Sequence, residues 1–439
     1  MSRIEGRIER LHTLYPRVID LRLERLERLL ASLDNPERKL PPVIHVAGTN
    51  GKGSVCAFIN AIATMAGLRT HVYTSPHLVH FNERICLAGR LIHDDELDNV
   101  LDVVEFANRS EPITVFEAIT AAAFVAFART PADLTIIEVG LGGQFDATNV
   151  ITPPRAAAIT SISLDHQEFL GETESLIAGE KAGIIKHGTS CAVTGAQLPE
   201  VLSVLEKRAD ATGTRLLARG RDWHVTPSGQ GFVFEDHVQK LELPRPSLIG
   251  AHQLDNAGIA IAALRAAGFL LPDAAFSAGV IHAAWPARMQ ILGKPYADLL
   301  PTGSKIWLDG AHNLGGAQAI AQILKDFAAP VHLIVGMKQG KDCDEFLRIV
   351  MPHAASIQAV AEPGQYLALP VDQIIATSGG RALPGPTVSS ALRHLAKGGT
   401  PQHVLICGSL YLAGVILAHA EQSQSESAQK RRGQLQNNA

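Results

Sequence analysis

Apolar residues recur at helical spacing over 17–33, and Asp34-Asn35-Pro36 ends that predicted helix. A short apolar strand follows from Val43 to Ala47, then a glycine-rich turn, then a helix from Ser54 to Met65 that stops at Gly67. Another short strand is predicted over 69–74. Strand, loop, helix and strand make a βαβ unit, so a parallel sheet is expected. The alternation continues with an Ala-rich helix over 114–129, a strand over 133–139 that opens into Gly140-Leu141-Gly142-Gly143, and a strand over 156–161 ending near Asp165-His166. A helix over 175–185 and a strand over 189–194 come next. From Trp223 to Leu243 two alternating segments flank Pro227-Ser228-Gly229-Gln230-Gly231, which signals a hairpin, and helices over 252–267 and 273–284 follow.

A Gly/Pro-containing stretch over 292–304 marks the expected domain boundary. Beyond it a second α/β series is predicted: strand 305–309, helix 315–327, strand 331–336, helix 343–351, strand 403–407 and helix 410–420. The polar residues 422–439 read as a disordered tail.

The 439 residues predict two to four domains. Lys plus Arg total 39 against 43 for Asp plus Glu, a net charge of −4, so no nucleic-acid partner is expected. With 46% hydrophobic and 19% charged residues the chain can fill a core and is neither disordered nor fibrous. Five well-separated cysteines without a CxxC pair argue against a disulfide framework or structural zinc and suit a reducing compartment. The first forty residues alternate charged and apolar positions, unlike a secretory leader, and the longest apolar stretch, Ala121 to Ala128, is too short for a bilayer. A cytoplasmic protein with no membrane partner, acting as a monomer, is expected.

The strongest chemical signal is Gly48-Thr49-Asn50-Gly51-Lys52-Gly53-Ser54 between a strand and a helix. Phosphate oxygens need converging backbone N–H donors, and glycine lets the backbone come close. The helix start adds its dipole, Lys52 a positive charge and Ser54 a hydroxyl for Mg²⁺. The spacing departs from a strict Walker A loop because Gly53 separates Lys52 from the hydroxyl. Glu138 ends an apolar strand on the sheet edge where ligands bind, and Asp165-His166 follows the next strand; a salt bridge and a core hydrogen bond are the ordinary alternatives. In the second series Asp309-Gly310-Ala311-His312-Asn313 joins a strand to a helix, where Asp309 suits a ribose or cation, while Asn313 suits a helix cap. Arg288 follows Trp285-Pro286-Ala287 and is otherwise a surface ion-pair partner.

Together these motifs resemble the folylpolyglutamate synthase family of the Mur-ligase superfamily, its bacterial members in particular. The likeness runs from about Asp20 to Leu417 and includes Ser75-Pro76-His77-Leu78, Phe116-Glu117 with Thr120, and Glu138-Val139-Gly140-Leu141-Gly142-Gly143. It continues through Asp146-Ala147-Thr148-Asn149, Leu164-Asp165-His166, Glu180-Lys181-Ala182-Gly183-Ile184, His252-Gln253 with Asn256-Ala257, Asp309 to Asn313, and Gly408-Ser409-Leu410-Tyr411-Leu412. The resemblance implies an α/β fold: a P-loop ATPase-type, mostly parallel sheet domain over 1–292, then a smaller Rossmann-like domain over 293–421.

It also implies site roles. Asn50, Gly51, Lys52, Gly53 and Ser54 would hold the ATP phosphates, and Asn256, Arg288 and Asp309 the rest of the nucleotide. Ser54, Ser75, Glu138 and His166 would ligate Mg²⁺ directly or through water. Lys52, Lys181 and His312 are the implied catalytic groups, with Lys181 matching a lysine that the family carbamylates; sequence alone makes Lys181 a helix-surface ion-pair partner. The pterin would lie against Asp20-Leu21-Arg22, Phe116-Glu117 and Phe145-Asp146-Ala147. Three departures stand out: Ala287 where the family usually has Gly, Gln144-Phe145 where it usually has Arg-Leu, and Arg22 where relatives often have Gly.

The implied activity is ATP-dependent addition of L-glutamate to dihydropteroate and to reduced folates through an acyl phosphate, with closure between the domains protecting that intermediate. Alternatives are a folylpolyglutamate synthase without the first activity, and a Mur-type ligase acting on a UDP-linked precursor, whose extra N-terminal domain has no room before residue 48. A P-loop nucleotide switch would not need Asp309 to Asn313, and a non-catalytic folate binder would not need Lys52, Glu138 and His166 together.

Overall fold

The computed structural model describes residues 3–15 and 20–437, so the start of the helix predicted from residue 17 lies outside the described residues. The chain divides into two compact units: Met1–Ser247 with His252–Ala284, and Leu248–Ala251 with Trp285–Ala439.

The first unit is built on an eight-stranded sheet. Its strands are β1 Val43–Ala47, β2 Thr70–Tyr73, β3 Ile85–Leu87, β4 Arg90–Leu91, β5 Leu134–Glu138, β6 Ala156–Ile159, β7 Cys191–Thr194 and β8 Arg215–Ala218, in the order β4-β3-β2-β5-β1-β6-β7-β8. Along that order every pairing from β2 to β8 is parallel, and β3 pairs antiparallel with both β2 and β4. Central β1 is buried at all five positions, as a strand covered on both faces must be. The Ala-rich helix Val115–Arg129 starts with a capping box: Thr114 Oγ1 accepts from the Glu117 amide, and the Glu117 carboxylate from the Thr114 amide. Its apolar body then packs with helices Arg3–Leu14, Glu24–Ser32 and Asp94–Asn108 in one core.

The expected hairpin is a three-stranded antiparallel sheet of β9 Trp223–Ser228, β10 Gly231–Asp236 and β11 Lys240–Pro244. A second reversal arises where the Asp236 carboxylate accepts from the amides of Val238 and Gln239.

The second unit holds β12 Gln290–Ile291, β13 Lys305–Leu308, β14 Val331–Val335, β15 Ser356–Ala359, β16 Leu383–Pro384 and β17 His403–Cys407 in the order β12-β13-β17-β14-β15-β16. All pairings are parallel except β12 with β13. Both units are thus α/β with mostly parallel sheets. The boundary expected at 292/293 lies inside the second unit, because Gln290 and Ile291 pair with Leu308 and Trp307. The tail expected to be disordered from residue 422 is helical, since helix Leu410–Asn437 runs through it. That stretch is rich in Gln, Glu, Lys and Arg and contains no proline, so nothing stops the helix begun upstream. No helix among the described residues is long and apolar enough to cross a membrane.

Candidate active site

Four loops leave one edge of the first sheet side by side. Val46 on β1 is level with Glu138 on β5 and Ala158 on β6, while Tyr73 on β2 is level with Ile137. The C-terminal ends of β2, β5, β1 and β6 therefore bring Ser75, Glu138, the Gly48–Ser54 loop and the Thr160–His166 segment to a common rim. The chain leaves β1 for β2 on one side, while β6 lies on the other, a switch point of the kind where open α/β sheets bind ligands.

Gly48 and Gly51 have φ of 149° and 90°. A Cβ on Gly48 would lie 1.8 Å from Thr160 Oγ1, and one on Gly51 would lie 2.5 Å from Asn256 Oδ1. The loop is tied to the end of β6: the Thr49 amide donates to the Ser161 carbonyl at 2.9 Å, and the Thr160 hydroxyl to the Asn50 carbonyl at 2.6 Å. Gly51 precedes helix Lys52–Met65, and no side chain caps that helix. An uncapped helix start behind a glycine turn suits an anion. Asn256 Nδ2 donates to Gln253 Oε1 at 3.0 Å, and Gln253 Nε2 lies 3.4 Å from the buried Ser54 hydroxyl. Asn256 thus belongs to this loop's surroundings, and Gln253 is a member the motif reading left without a role.

Two lysines converge on one carbonyl. Lys52 Nζ donates to the Gly48 oxygen at 3.1 Å and to Thr49 at 3.3 Å, and Lys181 Nζ donates to the same Gly48 oxygen at 3.0 Å from 133 residues away. Lys181 is 4% exposed, so the reading from sequence alone, a surface ion-pair partner, is wrong. Burial, and then the charge of Lys52, pull its pKa down from 10.5 to about 7. An amine neutral near that pH is nucleophilic. The glycine loop after β5 packs on the helix carrying it, with the Gln144 amide donating to the Glu180 carbonyl at 2.8 Å.

The groups expected to hold a cation are oxygen-rich. The buried Glu138 carboxylate accepts from the Ser75 amide at 3.3 Å. His166, at φ 52°, donates its amide to Asp165 Oδ1 at 2.9 Å. Among the described residues no three His, Cys, Asp or Glu side chains gather as a metal cluster. Mg²⁺ does not require one, because it keeps several waters and is held by one or two carboxylates plus phosphate oxygens. A buried carboxylate beside a phosphate-type loop with a buried hydroxyl fits that donor set.

The residues expected to face the substrate divide into two groups. Arg25 donates to Glu117 Oε1 at 2.8 Å and to Asp20 Oδ2 at 3.0 Å, and the Tyr15 hydroxyl donates to Asp20 Oδ2 at 2.6 Å. The Tyr15 bond first, then Arg25, holds the Asp20 carboxyl below its ordinary range. Arg22 reaches Asp20 only at 3.5 Å and is largely exposed. Arg25 was not singled out in the sequence, where it looks like any charge in an alternating run. Around the second group, Leu21 and Leu141 pack against one core cluster, and a Cβ on Gly140 would lie 2.4 Å from Phe116 Cζ. Phe145 is 43% exposed, and Ala147 opens a short 3₁₀ turn. Asp146 is buried and accepts from the Leu141 amide at 2.8 Å and from the Thr148 amide at 3.0 Å. Its carboxyl therefore organises the glycine loop, and burial raises its pKa.

In the second unit Arg288, Asp309 and His312 surround Gly310. Asp309 accepts from the Met289 and Ala311 amides, each at 2.9 Å. His312 Nδ1 lies 2.9 Å from the Gly310 carbonyl, and a Cβ on Gly310 would come within 3.0 Å of Arg288 Nη1. Asn313 caps helix Leu314–Asp326 by accepting from the Gly316 amide at 2.9 Å.

Residues 46–264 match the Mur ligase middle domain. The chain is 38% identical over 343 residues to the dihydrofolate synthase/folylpolyglutamate synthase of Bacillus subtilis, covering 73% of this chain and 76% of that protein. It is 34% identical over 412 residues to the folylpolyglutamate synthase of Lacticaseibacillus casei, covering 89% and 92%. Among solved structures, Escherichia coli FolC in complex with DHPP and ADP superposes with a TM-score of 0.86 at 29% identity, over 96% of this chain and 99% of that one. A bifunctional folylpolyglutamate synthase/dihydrofolate synthase with Mn, AMPPNP and L-glutamate bound gives 0.84 at 30% identity, over 95% and 98%. With a P-type loop, a buried lysine and a strand-end carboxylate on one rim, and relatives matched over most of their length, the chain belongs to the folylpolyglutamate synthase family of the Mur ligase superfamily.

Proposed function

We propose that this protein is an ATP-dependent ligase that joins L-glutamate to dihydropteroate and to reduced folates, acting in the cytoplasm as a monomer. The observation that carries the reading is the convergence of Lys52 and Lys181 on the Gly48 carbonyl beside an uncapped helix start. That is a site for a phosphate chain with a second, buried amine at hand.

A carboxylate resists attack by an amine because oxide is a poor leaving group. Transfer of the ATP γ-phosphoryl group to the substrate carboxylate gives an acyl phosphate, from which the glutamate amine displaces phosphate to form the amide. Asn50, Gly51, Lys52, Gly53 and Ser54 bind the phosphates, and Lys52 offsets charge on the transferring oxygens. Ser54, Ser75, Glu138 and His166 would hold Mg²⁺, which supplies Lewis-acid stabilisation when bound. Burial and Lys52 lower the Lys181 pKa to about 7, so near neutral pH a large share of its amine is in the neutral form that takes up CO₂ as a carbamate, giving a carboxylate-like group on this rim. Asp20, Leu21, Arg22, Phe116, Glu117, Phe145, Asp146 and Ala147 define the pterin side, with Arg25 fixing Asp20 and Glu117. Asn256, Arg288, Asp309 and His312 are assigned to the nucleotide by family likeness.

Purified protein with ATP and Mg²⁺ should release ADP only when glutamate and a pteroate or folate acceptor are both present. Mass spectrometry of products from dihydropteroate and from tetrahydrofolate separates a bifunctional enzyme from one restricted to folates. ADP release without any acceptor would favour a nucleotide switch and overturn the proposal.

A further inference from the structure

The first unit buries an imidazole that none of the roles above uses. His45 sits on central β1, three residues before the phosphate loop begins at Gly48, and is fully buried. Its Nε2 lies 2.9 Å from the Thr148 hydroxyl, and among the described residues no polar group reaches its Nδ1. A buried acceptor without a donor costs stability, a cost that leucine at this place would not incur. Burial first, then the charge of Lys186, pulls the imidazole pKa from 6.5 down to about 3, so the ring is neutral. A polar group kept in a core at the expense of the fold points to a role in the site instead.

The hydrogen bonds that start at this ring run in one direction. Asp146 accepts from the Leu141 amide at Oδ2 and from the Thr148 amide at Oδ1, so its carboxyl is an acceptor on both oxygens. The Thr148 hydroxyl donates its single hydrogen to Asp146 Oδ1. Its oxygen must then accept from His45, which makes the ring the Nε2–H tautomer and leaves Nδ1 bare. The chain of bonds ends on the substrate side. A Cβ on Gly140 would lie 2.4 Å from Phe116 Cζ and 3.1 Å from Asp146 Oδ2, so the backbone there is wedged between that ring and that carboxylate. His45, Thr148 and Asp146 are all buried, so water does not compete for these bonds.

We propose that His45 is a positioning residue for the pteroate or folate substrate: through Thr148 it orients Asp146, and through Asp146 it sets how the Gly140–Leu141 turn lies on Phe116. The inference rests on the pterin side assigned above to Phe116, Asp146 and Ala147. Without the imidazole donor the Thr148 hydroxyl is free to turn to another partner, and the carboxylate loses one of the bonds that aim it. The turn then loosens, and the substrate must supply the ordering that the protein supplied before. The phosphate loop is latched to the end of β6 by Thr49 and Thr160 instead, so it keeps its shape. The loss therefore falls on the pterin side and spares ATP.

Amide hydrogen exchange on the full chain reads this without turnover. In His45→Leu the segment 140–148 should exchange about tenfold faster, as loss of one buried hydrogen bond predicts, while β5 and β6 keep their protection. Thr148→Val should do the same and Thr148→Ser should not. The double variant of His45→Leu with Thr148→Val should be no looser than either alone, because both cut one chain of bonds. In turnover His45→Leu should raise KM for dihydropteroate about tenfold, leave KM for ATP unchanged and melt no lower than the wild type. Wild-type exchange over 140–148, additive effects of the two substitutions, or an equal rise in KM for ATP would overturn the relay. If His45→Leu does not fold, His45→Phe, a flat ring without the donor, takes its place; failure of both to fold would make His45 a residue of the fold alone and sink the proposal. Exchange needs no catalysis, so a chain that ligates nothing, yet loosens over 140–148 as described, would support the positioning while refuting the proposed reaction.

Discussion

Each unit has a strand-to-helix turn rich in polar residues, and the two turns use those residues in opposite ways. At Gly48–Ser54 no side chain caps the helix, and two lysines crowd one carbonyl. At Asp309–Asn313 the side chains serve their own backbone: Asp309 binds the Met289 and Ala311 amides, and Asn313 caps its helix. The first turn leaves its donors for an anion at a cost in self-repulsion, whereas the second satisfies itself. Substitution of Lys52 in the first turn should therefore damage turnover more than stability, and substitution of the cap Asn313 in the second the reverse.

The largest effect is expected from Lys52→Ala. Its two hydrogen bonds are to loop carbonyls, so the melting temperature should hardly move. Loss of the charge proposed to stabilise the transferring phosphoryl group should lower kcat on the order of 10²–10³-fold. ADP release at saturating substrate checks this, and near-normal kcat would break the contrast between the turns.

Lys181 gives the next largest effect, through pH. Its pKa is about 7 in the folded chain against 10.5 ordinarily, so between those values the unfolded chain binds the extra proton. Stability therefore rises with pH across that window, and below about 7 the folded protein bears the full penalty of a buried charge. In CO₂-free buffer the denaturation midpoint of the wild type should climb relative to Lys181→Met between pH 7 and 10. Parallel curves would place the amine in solvent.

The same contrast governs what the sequence made legible. The glycine loop, Glu138 and the βαβ order could be read because each is a local pattern with a local cause. The convergence of Lys181 on Gly48, and of Arg25 on Asp20 and Glu117, could not, because each joins distant segments and neither lysine nor arginine differs locally from a surface charge. Helix Asp94–Asn108 was legible but not read: Leu97, Val100, Leu101 and Val104 keep helical spacing and are buried. The unit boundary was misplaced because a two-residue edge strand, Gln290–Ile291, has too little pattern to announce its partner.

Asn313→Ala tests the self-satisfied turn. Removing the cap on helix Leu314–Asp326 should cost about 1 kcal/mol in urea denaturation. The value of kcat should fall far less than for Lys52→Ala. A large loss of kcat with unchanged stability would mean that Asn313 serves a ligand rather than its helix.

The smallest effect is expected beside it, at Ala287, where φ is 54° and the methyl group is fully buried. Changing Ala287 to Gly removes about 1–2 kcal/mol of left-handed strain. Against this, glycine adds roughly 0.5–1 kcal/mol of unfolded-state entropy and the lost methyl about 0.8 kcal/mol of burial. The terms nearly cancel, so Ala287→Gly should shift stability by less than about 0.5 kcal/mol, which explains how alanine is tolerated at a strained position. Arg288 donates to the Ala287 carbonyl at 2.9 Å, so its placement depends on this backbone rather than on the methyl. Equal denaturation midpoints for the two proteins, with an unchanged nucleotide KM, are therefore expected; a gain well above 1 kcal/mol would show that the methyl packs poorly and the strain is uncompensated.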